Sequence, residues 1–313
     1  MTAWLLSGCA LLLPQSEAIR TQWPTDVQAK AELEAVPFFP QQDFQCGPAA
    51  LATVLAFRGA PVTPDDLVKR VYLPERRGSL QIEMLASPRS YGLVTMQLAP
   101  RLDDLLREVQ AGNPVIVLQN YGVWPVPYWH YAVLVGFDRQ TGRVVLRSGE
   151  KRRLDMPLPV FEYTWKDSGY WAMLATPPDR IPVTATEDQW VTAVAAMERV
   201  SSRDATRSAY ANAMRRWPDN LNAAIGLSNV LYEDGNFPAA ESVLRTANAR
   251  HPKSVVTLNN LAQVVSDQGR HDEALRLIDE AVAQGGPFLA AMQATGQQID
   301  ERIRRAASHA ANE

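Results

Sequence analysis

Cysteine is nearly absent from this chain: there are two in 313 residues, at positions 9 and 46. Two cannot build a disulfide framework. Histidine is also sparse, with four residues, and no Cys/His spacing matches a zinc site, so no metal or cofactor is expected. The chain has no basic excess either. Its 31 Lys and Arg face 34 Asp and Glu, for a net charge of -3, which argues against nucleic acid as a partner. No apolar run reaches 18 residues, so nothing in the body of the chain reads as a membrane span. What the chain does have is length and apolar content. At 46% hydrophobic over 313 residues it can bury two cores, and length alone favours two domains.

The first residues, MTAWLLSGCALLL, carry Leu6-Ser7-Gly8-Cys9. This stretch resembles the lipobox of bacterial lipoproteins, whose cysteine is acylated after cleavage just before it. The resemblance implies a signal peptide over residues 1–9 that starts further upstream than this numbering, and a lipid on Cys9. Two or more acyl chains would anchor the protein stably in a membrane. Ala10 follows where an inner-membrane retention signal would have Asp, so the expected location is the bacterial outer membrane, facing the periplasm. Residues 10–35 are polar and irregular and are expected to act as a tether.

From residue 36 to 176 short helical patterns precede β-rich runs. Helices are expected at Cys46–Arg58, after Thr63, at Ser79–Ser90 and at Leu102–Ala111. Strands are expected at Val94–Leu98, Val115–Leu118, Tyr131–Phe137, Arg143–Arg147 and Tyr170–Ala175, with a hairpin turn at Gln140-Thr141-Gly142. Helices first and an antiparallel sheet later indicate an α+β domain. Residues 177–186 read as a linker. Beyond them, over 187–313, strand patterns vanish and a period of 34 emerges: Pro218 to Pro252, Gly235 to Gly269, Ala240 to Ala274. A weaker unit at 187–220 would be the first of three, and Phe288–Arg305 a capping helix.

Chemistry concentrates around Gln41-Gln42-Asp43-Phe44-Gln45-Cys46-Gly47-Pro48. An apolar run follows, so Cys46 begins a buried helix with Pro48 in its first turn, where proline is tolerated. A thiol at a helix N-terminus is expected to have a lowered pKa. His130 is the only histidine within residues 1–250, so a Cys–His pair in this domain must be Cys46 with His130. The uncharged aromatic stretch Tyr121–Trp129 just before it reads either as a wall of a cleft or as an ordinary packed loop.

The pattern Q-x4-C-G-P-A-A-L, then P-V-I-V, then H-Y-x-V-L-V-G-F-D resembles the C39-like peptidases of the papain-like class over residues 36–176. The 34-residue period resembles the tetratricopeptide repeat. Together they imply an α+β papain-like cysteine peptidase domain followed by an all-α tetratricopeptide-repeat solenoid. The family's roles carry over to Cys46 as nucleophile, His130 as base and then acid, and Gln41 as oxyanion donor, with Gln42 as competitor. Family members usually place Asp where this chain has Ser148; Asp138 and Asp155 are the spare acids. The implied partners are a peptide or protein substrate, a protein partner on the repeats, and the membrane through the anchor. Two functions stay open: a cysteine peptidase or related acyl-transfer hydrolase, and a catalytically idle papain-like scaffold for binding.

Overall fold

The computed structural model describes residues 13–41 and 45–310. They fall into two compact units, the first ending at Ser202 and the second beginning at Arg203. Cys9 and the lipobox lie outside the described residues.

In the first unit, in chain order, the elements are α1 (Pro14–Thr21), β1 (Lys30–Glu32), α2 (Cys46–Phe57), α3 (Pro64–Val71), α4 (Gln81–Ala86), β2 (Val94–Gln97), α5 (Leu102–Gln110), β3 (Val115–Asn120), β4 (Trp129–Asp138), β5 (Arg143–Ser148), β6 (Lys151–Pro157), α6 (Leu158–Lys166), β7 (Ala172–Thr176) and α7 (Glu187–Ala195). The strands form one sheet in the order β2-β7-β3-β4-β5-β6, and every pairing is antiparallel. β1 pairs with the far end of β4, beyond the end of β3, through Lys30–Asp138 to Glu32–Gly136. Glycine is needed at 136, because a Cβ there would sit 2.9 Å from the Ala31 carbonyl oxygen.

The period of two in the central strands builds two cores, one on each face of the sheet. Val115, Val117, Ala132, Leu134, Val144 and Leu146 join residues of α1, α5 and α6 on one side. Ile116, Leu118, Tyr131, Val133, Val135 and Val145 join α2, α3 and Met84 of α4 on the other. A bulge between Leu134 and Gly136 shifts the register, and Phe137 joins the first core.

Residues 10–35 are not a tether from Pro14 onward. Ile19, Trp23 and Val27 are buried in the first core. The carboxylate of Glu162, itself fully buried, accepts the backbone N–H of Gln15 (2.9 Å) and of Ser16 (2.6 Å). Two first-turn N–H groups of α1 thus meet a negative charge, the arrangement a helix N-terminus favours. Glu162→Ala orphans both donors and is expected to cost about 2 kcal/mol. Limited proteolysis should then cut before residue 24 in the variant and not in the wild type.

The linker at 177–186 is also docked. Thr184 donates its N–H and hydroxyl to buried Glu108, at 2.7 and 2.6 Å. α7 packs on the same unit, with Trp190 fully buried. The helical unit therefore starts at Arg203 rather than at 187.

The second unit is α8 (Arg203–Arg216), α9 (Leu221–Glu233), α10 (Phe237–Arg250), α11 (Val255–Asp267), α12 (His271–Gln284) and α13 (Leu289–Ala310). Its turns take Gly235 and Gly269 at φ 72° and 82°, left-handed positions that explain glycine at both. The interlocking contacts repeat as the sequence does: Arg250 donates to the Pro218 carbonyl and Gln284 to that of Pro252. Gly226 of α9 is required for packing, since a Cβ would lie 2.3 Å from Cζ of Tyr210 on α8. Gly226→Ala is expected to destabilise this unit by about 2 kcal/mol through overpacking. Faster amide exchange across α8 and α9 would register it.

Candidate active site

The segment CGPAALATVLAF forms a helix with no polar face, and residues 47–55 are all buried. α2 is thereby fixed under the sheet, with Cys46 as its first residue at the edge of a cleft. Gly47 allows the 78–80 segment to close over this helix end, because a Cβ there would fall 2.2 Å from Ser79 Oγ. His130 lies one residue into β4 and is buried. The approach to Gln41 is clamped by Arg147, whose guanidinium donates to the carbonyls of Val36 and Leu33. The Gln41 N–H bonds the Gly149 carbonyl at 3.1 Å.

Cys46, His130 and Gln41 line one cleft of about 900 Å³. Residues 76–81 and 127–129, with Leu118, Tyr131, Glu150, Asp167 and Ser168, complete its walls. The Gln41 side chain donates Nε2–H to the Tyr131 carbonyl at 3.3 Å, leaving its second amide hydrogen uncommitted by that bond. Gln42 lies outside the described residues. Of the aromatic stretch, Pro127, Tyr128 and Trp129 are cleft wall, whereas Trp124 at the tip is 95% exposed.

Ser148, which the resemblance sets where the family usually has Asp, stands against the imidazole: His130 Nε2 to Ser148 Oγ is 2.9 Å. Nδ1 is then the ring nitrogen left for another partner. The spare acids do not serve here. Asp138 is eight residues further along β4, roughly 26 Å at 3.3 Å per residue, and its carboxylate accepts the Gln140 and Thr141 N–H groups of the hairpin turn. Asp155 pairs with Arg153 on β6. The carboxylates that do line the cleft, Glu150 and Asp167, went unnoticed in the sequence. Asp167 accepts from Asn120 Nδ2 at 2.9 Å.

Electrostatically the site favours neutral groups. Burial pulls the His130 pKa down from 6.5 to about 4. Burial pushes the Cys46 thiol up, against the lowering pull of the Tyr131, Gly47 and Cys46 backbone N–H groups. The helix-terminal donors foreseen from the sequence are thus present, but desolvation outweighs them. Cys46 is a free cysteine.

Residues 33–172 match the model of the Peptidase C39 like family, and residues 201–257 and 231–299 match the tetratricopeptide repeat. Among solved structures, a Bacillus anthracis protein described as a C39-like peptidase aligns at TM-score 0.40 and 18% identity, covering 48% of this chain and 98% of its own. The peptidase domain of Streptococcus ComA, a bifunctional ABC transporter, aligns at TM-score 0.38 and 16% identity, covering 45% and 98%. A mutant O-GlcNAc transferase of Thermobaculum terrenum aligns at TM-score 0.31 and 22% identity, covering 34% and 21%. Cellulose synthase operon protein C of Pseudomonas fluorescens (strain SBW25) is 38% identical over 82 residues, 26% of this chain and 6% of that protein. The present chain therefore matches only a small fraction of that curated relative's length.

Proposed function

We propose that this chain, with a C39-like peptidase domain in its N-terminal region and tetratricopeptide repeats in its C-terminal region, is a cysteine peptidase acting on a peptide or protein substrate. The observation that carries the proposal is the convergence of Cys46, His130 and Gln41 on one cleft, with His130 Nε2 already held by Ser148. His130 Nδ1 takes the thiol proton as Cys46 Sγ bonds to the scissile carbonyl carbon. The carbonyl oxygen gains the negative charge and is met by the Gln41 amide and backbone N–H groups at the start of α2. The protonated imidazole then passes its proton to the departing amine as the C–N bond breaks, leaving a thioester on Cys46. Water, deprotonated by the same imidazole, hydrolyses it.

The repeats recruit the substrate or a partner. Asn229, Asn259 and Gln263 line a cavity of about 160 Å³ on α9 and α11; Asn222 is not among its lining residues. Asn259 Oδ1 is buried with no hydrogen-bond partner, and the N–H of an extended peptide would satisfy it. Lipid on Cys9, attaching the chain to the bacterial envelope on its periplasmic side, completes the proposal. Detergent partition with release by Cys9→Ser supports the anchor; an unprocessed wild-type N-terminus in the cytoplasm defeats it.

Digestion of a peptide library, read by mass spectrometry, tests the activity. Wild type should generate new termini that Cys46→Ala does not. The neutral Ser148, where relatives usually carry Asp, favours a second reading, an idle papain-like scaffold. That reading predicts peptide binding without new termini.

A further inference from the structure

Apolar side chains left in water are concentrated beside the cleft. Of the thirteen large ones exposed among the described residues, eight lie in two segments, 80–82 and 121–129. Both segments supply cleft wall, one through Leu80 and the other through Pro127, Tyr128 and Trp129. Scattered exposed apolar residues need no explanation, but a concentration of them marks a contact surface. No residue from 121 to 129 is charged. The stretch is a hairpin held from within by polar groups. Buried Asn120 accepts the N–H groups of Gly122 and Tyr128 at its Oδ1, both at 2.9 Å, and donates from Nδ2 to Asp167. Tyr121 N–H bonds the Tyr128 carbonyl at 2.8 Å, and Val126 N–H the Val123 carbonyl at 2.6 Å. Glycine at 122 lets the arms close, since a Cβ there would lie 2.2 Å from the Val126 carbonyl oxygen. The side chains of Val123, Trp124 and Val126, 73%, 95% and 71% exposed, take no part in holding this frame.

We infer that this hairpin is a specificity-determining arm of the cleft, and that its tip receives an apolar stretch of the substrate chain. Continuity with the cleft argues for that occupant. His130 lies six positions after Trp124, a span of at most roughly 20 Å, which an extended peptide covers in about six residues. A chain seated against Cys46 and His130 reaches the tip within that length. The arm carries no charge, so an acidic or basic substrate residue placed there would lose water and gain no ionic partner. A leucine, valine or phenylalanine would instead bury its surface against Trp124. Tryptophan suits the role, because it offers a large contact area at little conformational cost. The inference rests on the cleft being the peptide site of the peptidase proposal.

Fluorescence anisotropy of labelled peptides on full-length Cys46→Ala tests the binding. The probes are a short glycine–serine host peptide and versions carrying three adjacent leucines, lysines or glutamates. The leucine version should bind about tenfold tighter than the others, and Trp124→Ser, added to Cys46→Ala, should remove about that factor. Trp124 is too exposed for its loss to disturb folding. Val126→Asp should weaken the leucine peptide in the same way, whereas Val200→Ser, at an exposed apolar residue outside both segments, should change nothing. With wild type, cuts in a peptide library should fall within about six residues of an apolar stretch, a preference that Trp124→Ser loses. Equal affinities for the four peptides, or a leucine preference that survives in Trp124→Ser, overturns the inference. So does Trp124-dependent adsorption to phosphatidylcholine vesicles, or Trp124-dependent dimerisation, with peptide affinities unchanged by Trp124→Ser; the tip would then belong to a lipid surface or to a second copy. A Trp124-dependent leucine preference in a protein that cuts no peptide leaves the arm standing and defeats the peptidase proposal alone. Cleavage without that preference does the reverse.

Discussion

Cys46→Ala and His130→Ala are each expected to lower peptide cleavage by a factor on the order of 10⁴ or more, and the double variant should be no slower than the worse single. Under the peptidase proposal the two side chains perform one operation. A thiol whose pKa burial has raised is a poor nucleophile until its proton leaves, and His130 is the base within the cleft that can take it. Without the base, the thiol stays protonated at neutral pH; without the thiol, the base has nothing to activate. Independent contributions would instead multiply, which steady-state kinetics on the three variants would reveal. With the imidazole pKa near 4, the base stays neutral well into the acid range. The acid limb of kcat/KM for the free enzyme should therefore fall about two pH units lower than an ordinary histidine would place it.

The same shift makes His130 a determinant of stability. Its pKa is about 4 in the folded protein against 6.5 for the unperturbed side chain. Between those values the unfolded chain binds a proton that the folded chain refuses, so stability is complete above about pH 6.5 and falls as pH drops toward 4. Integrated over that window the loss amounts to about 3 kcal/mol. Below the folded pKa this contribution changes no further. Carboxylates such as Glu241, held at about 2 by Arg270 and Arg245 against desolvation, lose their own contribution across lower pH, so the test is a difference. Urea unfolding of the N-terminal unit at pH 7 and pH 4.5 should show wild type losing about 2 kcal/mol more than His130→Gln. Parallel losses in the two proteins would mean that the imidazole is not protected from protons.

Much of this architecture is written in the order of residues, for identifiable reasons. The wholly apolar stretch after Cys46 has one stable fate, a helix buried on all sides, and α2 runs from Cys46 to Phe57. The 34-residue period survives as paired helices because the glycines at 235 and 269 sit in left-handed turns. Elements that escaped detection share a different origin. β6 reads KRRLDMP, is largely exposed, and is a strand only because β5 pairs with it. α1 and β1 are polar by composition and owe their places to Glu162 and to the space beside Gly136. Partners more than a hundred residues away leave no local trace.

The site divides in the same way. Cys46 and His130 were legible because a helix start and a strand start are local patterns, whereas Ser148 came only from the family resemblance, with Asp138 and Asp155 left open beside it. The Tyr121 ring, stacked on the imidazole with centroids 5.0 Å apart, was not legible, since their meeting depends on the β3–β4 register that sets Gln119 opposite His130. The thiol's electrostatics also escaped: sequence reveals the helix terminus but not the burial that overrides it.

The central claim is that Cys46 is a nucleophile activated by His130, and covalent capture tests it most directly. A peptidyl epoxide, incubated with the folded protein at neutral pH and read by intact mass and peptide mapping, should add once, at Cys46. Labelling should collapse in His130→Ala and in wild type unfolded by urea, and be absent from Cys46→Ala. Equal labelling of folded wild type, folded His130→Ala and unfolded chain would contradict the claim, because the fold would then be adding nothing to the reactivity of the thiol.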